Sequence, residues 1–244
     1  MRSPNRQKKL ILGALKFAGL CVLLLWSVHL FGLMTDNSFS HLGIYPRKAE
    51  GIKGIFLAPL VHDNFEHLIS NTFPFFVLTG VIYYFYPKVA APSFGIIYVL
   101  TGFIVCLFAR PVYHIGASGV VYGLLSFVMF SGFFRKNLKA IALALSVTVL
   151  YSGYFYGLLP LKDDISWESH LFGAMVGTLT AYIFKEVIEE DEIKKAPSWA
   201  NEISNQEYFL PRDTFHKTKA EKLLEKQMEE HMRKMEEGGS NFIN

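Results

Sequence analysis

The 244-residue chain is poor in the features that hold small secreted or highly charged soluble domains together. It has two cysteines, Cys21 and Cys106. Both sit inside apolar blocks, where a thiol behaves as a small hydrophobe, so no disulfide framework is implied. Charged residues are 18% of the chain, and they are sparse between residues 10 and 188. Internal repeats are lacking too, which leaves no basis for a stacked-repeat architecture.

What is present is hydrophobicity in long blocks. Half of the residues are apolar, and six blocks are each long enough to cross a hydrocarbon core of about 30 Å, which takes roughly 20 helical residues. They run from Leu10 to Met34, His67 to Tyr86, Val89 to Ala109, Ile115 to Phe134, Leu138 to Pro160 and Ser169 to Ile188. Arg2, Arg6, Lys8 and Lys9 precede the first block as they would a secretory signal. That block is too long for one and ends in no clean small-residue cleavage site, so it is read as an uncleaved span. The expected fold class is therefore an all-α membrane protein, a six-transmembrane-helix bundle with a charged C-terminal tail.

Basic residues next to span ends stay in the cytoplasm. The N-terminus and the link of Arg135, Lys136 and Lys139 are basic, whereas the link Leu161 to Glu168 carries Asp163, Asp164 and Glu168 against Lys162. Both termini are thus expected inside. Arg47, Lys48 and Lys53 in the loop 35–65 run against this orientation. The chain divides into a short cytoplasmic segment (1–9), a helical core (10–188) whose first outer loop covers 35–65, and a charged cytoplasmic tail (189–244). In that tail Leu224, Met228, His231 and Met235 make a weak helical stripe, read first as part of a solvated helix. Pro74 interrupts the second block, where it frees a carbonyl and permits a kink.

Polar side chains inside a membrane are expensive, roughly 2.5 to 3.5 kcal/mol for a charged group at the centre on insertion scales. Three sets therefore ask for a reason: His67 with Asn71, the run Gly116-Ala117-Ser118-Gly119, and His170. With the N-terminus inside, blocks two, four and six all run inward, and each set lies within about two turns of its block's start. All three converge on one level. At 100° per residue, His67 and Asn71 share a face, as do Ser118 and Tyr122. His170, Gly173 and Gly177 fall on one face of the last block, and Gly119 and Gly123 give the fourth block a small-residue stripe. Such stripes let helix backbones approach closely, which would bring Ser118 and His170 together.

A serine hydroxyl needs a base, and a neutral histidine in hydrogen-bond reach is the usual one. No acid lies in these blocks to complete a triad, because Glu168 would project away from His170. A Ser118-His170 dyad is expected, with Tyr122 packed against the imidazole. His67, the Asn71 amide and the Ser118 backbone N–H can supply donors to a developing oxyanion.

These residues resemble the rhomboid family. His62 through Asn71 is similar to its second-span pattern of two histidines and an asparagine, Gly116-Ala117-Ser118-Gly119 with Tyr122 to its Gly-x-Ser-Gly nucleophile motif, and His170-Leu171-Phe172-Gly173 with Gly177 to its last-span motif. The resemblance covers about residues 10 to 188. It implies a six-helix core, a serine endopeptidase that cleaves transmembrane segments of other proteins near the outer membrane face, and residence in the cell (inner) membrane. The first loop lacks the Trp-Arg pair that many members carry.

Other readings compete. A lone Gly-x-Ser-Gly is usually helix packing, and a lone intramembrane histidine usually an interhelical hydrogen-bond partner. A transporter would carry polar residues through the full depth, and here they thin out below the outer third. The alternative kept is a catalytically inactive rhomboid-like protein that binds or escorts membrane clients. A zinc site does not fit His62 and His67, which are five apart rather than four; His62 is read as a support at the span's outer end. His29, His41 and His114 are read as interfacial, and His216 and His231 as tail residues. No metal, cofactor or nucleic-acid partner is expected. The expected partners are transmembrane substrates and the bilayer.

Overall fold

The computed structural model describes residues 3–161, 165–190, 192 and 216–239. The chain forms two compact units, Met1–Lys194 and Lys195–Asn244. The first contains seven α-helices among its described residues: α1 (Pro4–Met34), the single-turn α2 (Gly54–Leu57), α3 (Phe65–Phe85), α4 (Ala90–Phe108), α5 (Ser118–Arg135), α6 (Leu138–Leu150) and α7 (Trp167–Ile183). Short 3-10 helices occur at Ser40–Leu42, Ala49–Gly51, Ala58–Leu60 and Ser152–Leu158. No strand forms among the described residues; Ile44 and His114 make one isolated antiparallel bridge.

Each of the six apolar blocks contains one of the longer helices. Four of these, α1, α3, α4 and α5, are long and apolar enough to cross a membrane, and α6 with the 3-10 helix Ser152–Leu158 makes a fifth candidate, bent by 68°. The last block gives the 17-residue α7, which rises about 26 Å, a few ångströms less than a typical hydrocarbon core. The lipid-facing character shows in what is exposed. Leu20, Leu23, Phe31, Phe73, Phe108, Phe133 and Leu145 all stand out from the surface, large apolar side chains on five of the helices.

α5 is the central helix: two-thirds of its span is buried, against 17% for α1. Phe127, Leu124, Val121 and Val128 of α5 meet Leu68, Leu78 and Ile82 of α3, Ile97 of α4 and Val176 of α7 in one core cluster. Arg135, at the C-terminal end of α5, is bound by the carbonyls of Phe184 and Val187 and by Glu192 at 3.0 Å. Arg6 pairs with Glu190 at 2.5 Å, so both ends of this unit lie at the Arg135 end of the bundle. Ser118 is at the other end of α5.

The loop between α1 and α3 lacks a Trp-Arg pair and is anchored by Arg47 instead. Its guanidinium donates to the carbonyls of Ala109 at 2.8 Å and Leu107 at 3.3 Å, and its backbone N–H to Cys106 at 2.8 Å. A cation thus closes the C-terminus of α4, where orphan carbonyls and the helix dipole favour it. Gly54 lies directly against the Gly43-Ile44 backbone, which leaves no room for a Cβ.

In the second unit, α8 (Lys219–Gly239) begins at a capping box: Glu221 accepts the Thr218 N–H at 2.7 Å, and the Thr218 hydroxyl accepts that of Glu221 at 3.3 Å. Leu224, Met228 and Met235 are exposed along it, as are Leu223 and Met232. Arg2, Lys162, Asp163, Asp164 and the tail from 193 to 215 lie outside the described residues.

Candidate active site

Three helix starts build the site. Asn64 caps α3 by accepting the His67 N–H at 2.8 Å, as N-cap residues do. That fixes His67 in the first turn. Asn71, one turn on, is buried and donates from Nδ2 to the His67 carbonyl at 2.8 Å, so one of its two amide hydrogens is used inside the helix.

The chain enters α5 through Gly116, whose φ of +96° favours glycine. A Cβ there would also lie 2.5 Å from His67 Nε2 and 2.7 Å from Cε1. The missing side chain is what admits the imidazole. The Gly116 N–H donates to the Ala58 carbonyl at 2.9 Å, and the Ala117 N–H to His62 Nε2 at 3.4 Å. Ser118 is the first residue of α5. Its N–H and that of Gly119 belong to the first turn and have no intrahelical acceptor.

α7 delivers the histidine. Gly173 and Gly177 lie against the Gly119 and Gly123 carbonyls, closer than any Cβ would allow, and this contact sets His170 beside Ser118. The distance from His170 Nε2 to Ser118 Oγ is 2.8 Å. Tyr122 stacks on the imidazole with centroids 4.2 Å apart and planes 11° apart. The ring's other nitrogen, Nδ1, lies 2.8 Å from the Gly157 carbonyl oxygen. A carbonyl only accepts, so Nδ1 carries the proton and Nε2 presents a lone pair to the Ser118 hydroxyl. This is the tautomer a general base requires.

Glu168 is turned away from the dyad. It is buried at 6% exposure and pairs with Arg110 Nε at 3.3 Å, while Arg110 also donates to the Ile165 carbonyl at 2.8 Å. Below Tyr122 a cavity of about 640 Å³ opens between α5, the 152–158 helix and α7, walled by apolar and aromatic side chains such as Phe130, Phe155, Met175 and Tyr182. Among the described residues no cluster of three or more His, Cys, Asp or Glu is placed to hold a metal ion.

Two histidines are not where the sequence suggested. His29 and His114 are buried rather than interfacial. His29 Nδ1 lies 3.2 Å from the His62 carbonyl. His114 bridges Ser166 Oγ at 2.5 Å and the Arg110 carbonyl at 2.9 Å, tying the α4–α5 loop to the start of α7. The His62 carbonyl is 33 residues from His29 and Ser166 is 52 from His114, beyond any local pattern. The Gly157 carbonyl was also missed, because a backbone acceptor has no residue-type signature.

A rhomboid domain model matches residues 49–187. The chain belongs to the rhomboid family. It is similar to an uncharacterized protein of Mycobacterium tuberculosis H37Rv, 33% identical over 171 residues that cover 66% of this chain and 71% of the relative. An uncharacterized protein of Mycobacterium leprae is 30% identical over 174 residues, covering 66% and 67%. A protein of Acanthamoeba polyphaga mimivirus that carries the rhomboid name is 27% identical over 156 residues, covering 60% and 82%. As a rhomboid with several long apolar helices, the chain is an integral, multi-pass membrane protein.

Proposed function

We propose that this rhomboid is an active intramembrane serine endopeptidase that cuts transmembrane segments of other membrane proteins near the outer membrane face, with six spans and both termini in the cytoplasm. The observation that carries the reading is the 2.8 Å contact between His170 Nε2 and Ser118 Oγ, in a tautomer set to accept the hydroxyl proton.

The reaction follows the two-step acyl-transfer course. Ser118 Oγ attacks the scissile carbonyl carbon as its proton passes to His170 Nε2. The oxyanion is met by the Ser118 N–H, His67 and the free hydrogen of the Asn71 amide. The C–N bond then breaks, and the leaving amine takes the proton from His170. Water, deprotonated by His170, attacks the acyl-enzyme and releases the second product with Ser118 restored.

Purified protein in liposomes is expected to cleave a model transmembrane substrate and to be labelled at Ser118 by a fluorophosphonate. Ser118→Ala and His170→Ala should each lower turnover by roughly 10⁴-fold or more, and Ser118→Ala should abolish labelling. Cleavage undiminished in Ser118→Ala would refute the dyad. Stable capture of the substrate with neither cleavage nor labelling would favour a client-binding protein instead. Loss of an oxyanion donor in His67→Ala or Asn71→Ala should lower kcat roughly 10²-fold or more, with KM little changed.

A further inference from the structure

Resting on the protease reading above, we propose that the backbone carbonyl of Gly157 is the third member of the catalytic group, doing for His170 what a carboxylate does in a triad.

The 3-10 helix Ser152–Leu158 is built to present it. The helix turns 68° from α6, and the final carbonyls of any helix have no partner within it. Gly157 is one residue from the end, so its oxygen is free to accept from outside. It accepts from His170 Nδ1 at 2.8 Å. Three residues earlier, one turn of a 3-10 helix, the Tyr154 carbonyl accepts from the Tyr122 hydroxyl at 2.7 Å. Tyr122 is the residue stacked on the same imidazole. One face of this short helix therefore grips the histidine twice, at Nδ1 and through the ring beneath it.

The helix is itself braced. Pro74 has no N–H to give the Ser70 carbonyl, and the Tyr154 hydroxyl reaches that oxygen from across the bundle at 3.5 Å. A Cβ on Gly157 would collide with the Tyr122 hydroxyl and lie 3.2 Å from His170 Nδ1. Only glycine lets the carbonyl come this close. When His170 accepts the Ser118 proton, the imidazolium Nδ1–H already points at a fixed acceptor, which holds the ring in place and favours its positive charge. Among the described residues Glu168, two positions before His170, is committed to Arg110 and does not take this role.

A backbone acceptor is tested by weakening the carbonyl alone. Incorporating the α-hydroxy analogue of leucine at position 158 converts the 157–158 amide to an ester, whose carbonyl is a poorer acceptor. A hydrogen bond to a charged group is worth about tenfold or more, so kcat should fall by about that factor with KM within twofold. Gly153→Ala in the same helix, where a Cβ meets nothing within 4 Å, should cleave at the wild-type rate. An unchanged kcat in the ester protein would overturn the proposal, and so would a rise in KM that accounts for the loss. An independent check needs no variant: in protein labelled with ¹⁵N-histidine, His170 should show Nδ1 protonated and Nε2 bare, and the reverse tautomer would also overturn it. If the protease reading itself were wrong, the unmodified protein would neither cleave nor label at Ser118, an outcome separate from all of these.

Discussion

The contact between α5 and α7 gives the sharpest quantitative test, through Gly173→Ala. An ideal Cβ on Gly173 would stand 2.9 Å from the Gly119 carbonyl carbon and 3.3 Å from its Cα, with the carbonyl oxygen nearer still. Carbon atoms rest at about 3.5–4.0 Å, and the obstacle is backbone, which cannot rotate aside. The two helices would have to part by roughly 1 Å at this level. Gly173 is one turn from His170, so most of that displacement reaches the dyad and stretches the 2.8 Å contact to about 3.8 Å, outside hydrogen-bond range. A misplacement of 1 Å lowers rates by about 10²-fold, and overpacking destabilises by about 1–3 kcal/mol. Turnover of a transmembrane substrate in liposomes, measured with a thermal melt, reads both. Gly119→Ala should be milder, because its Cβ would meet Ser169 O at 3.1 Å and a movable Thr101 methyl at 3.3 Å. Gly80→Ala, where a Cβ meets nothing within 4 Å, should leave turnover unchanged and not lower the melt. Full turnover and an unchanged melt in Gly173→Ala would refute the idea that glycine contact sets the dyad distance.

Glu168→Gln should keep kcat within about twofold while lowering the melting temperature modestly, since Glu168 is buried but its partner Arg110 is about a third exposed and screened by solvent, and glutamine retains part of the bonding; a 10³-fold fall in kcat would instead make Glu168 a triad acid. His62, in the loop before α3, is held down to about 3 by burial first and by the neighbouring His67, with His29 against its carbonyl. The unfolded chain therefore binds this proton below about pH 6.5 while the folded form refuses it. Its share of stability is complete above pH 6.5 and lost as pH falls toward 3, by up to about 1.4 kcal/mol per pH unit. Thermal melts between pH 7 and 4 should show a shallower acid decline in His62→Gln than in the wild type; equal declines would show that the folded protein accepts a proton at His62 as readily as the unfolded chain does.

The meeting of Ser118 and His170 was legible because the periodicities of two blocks agree. Gly119 and Gly123 share a face, His170 shares a face with Gly173 and Gly177, and Ser118 shares one with Tyr122. The same logic failed for the fifth block. Leu138 to Pro160 is apolar for most of its length, and its pattern does not signal that the chain bends at Tyr151 and continues as a 3-10 helix. The bend is a tertiary outcome, held by bonds to Tyr122, His170 and Ser70 on three other elements. Pro74 gave half of it away: the freed carbonyl was readable in the sequence, its acceptance of a bond from Tyr154 was not. Arg47 escaped for a related reason, since its acceptors are backbone oxygens on α4.

Why a carbonyl should stand where soluble hydrolases put a carboxylate follows from the solvent. An unpaired charge near the membrane core is penalised by a few kcal/mol even on lenient scales, and a buried carboxylate needs a cation or several donors to stay ionised. Glu168, the acid among the described residues at the start of α7, obeys that rule. It has Arg110 beside it, where it secures the loop between α4 and α5 rather than His170. The Gly157 carbonyl avoids the penalty because it is already present in the backbone and unpaired within its helix. It is weaker than a carboxylate as a partner for imidazolium, and Tyr122, stacked at 4.2 Å, adds the electron-rich ring face that also favours a cation. Tyr122→Leu should then slow turnover more than Tyr122→Phe, because phenylalanine keeps the stacked face and loses only the hydroxyl bond to Tyr154. Equal rates for the two variants would mean that the stacked ring contributes nothing and that the carbonyl acts alone.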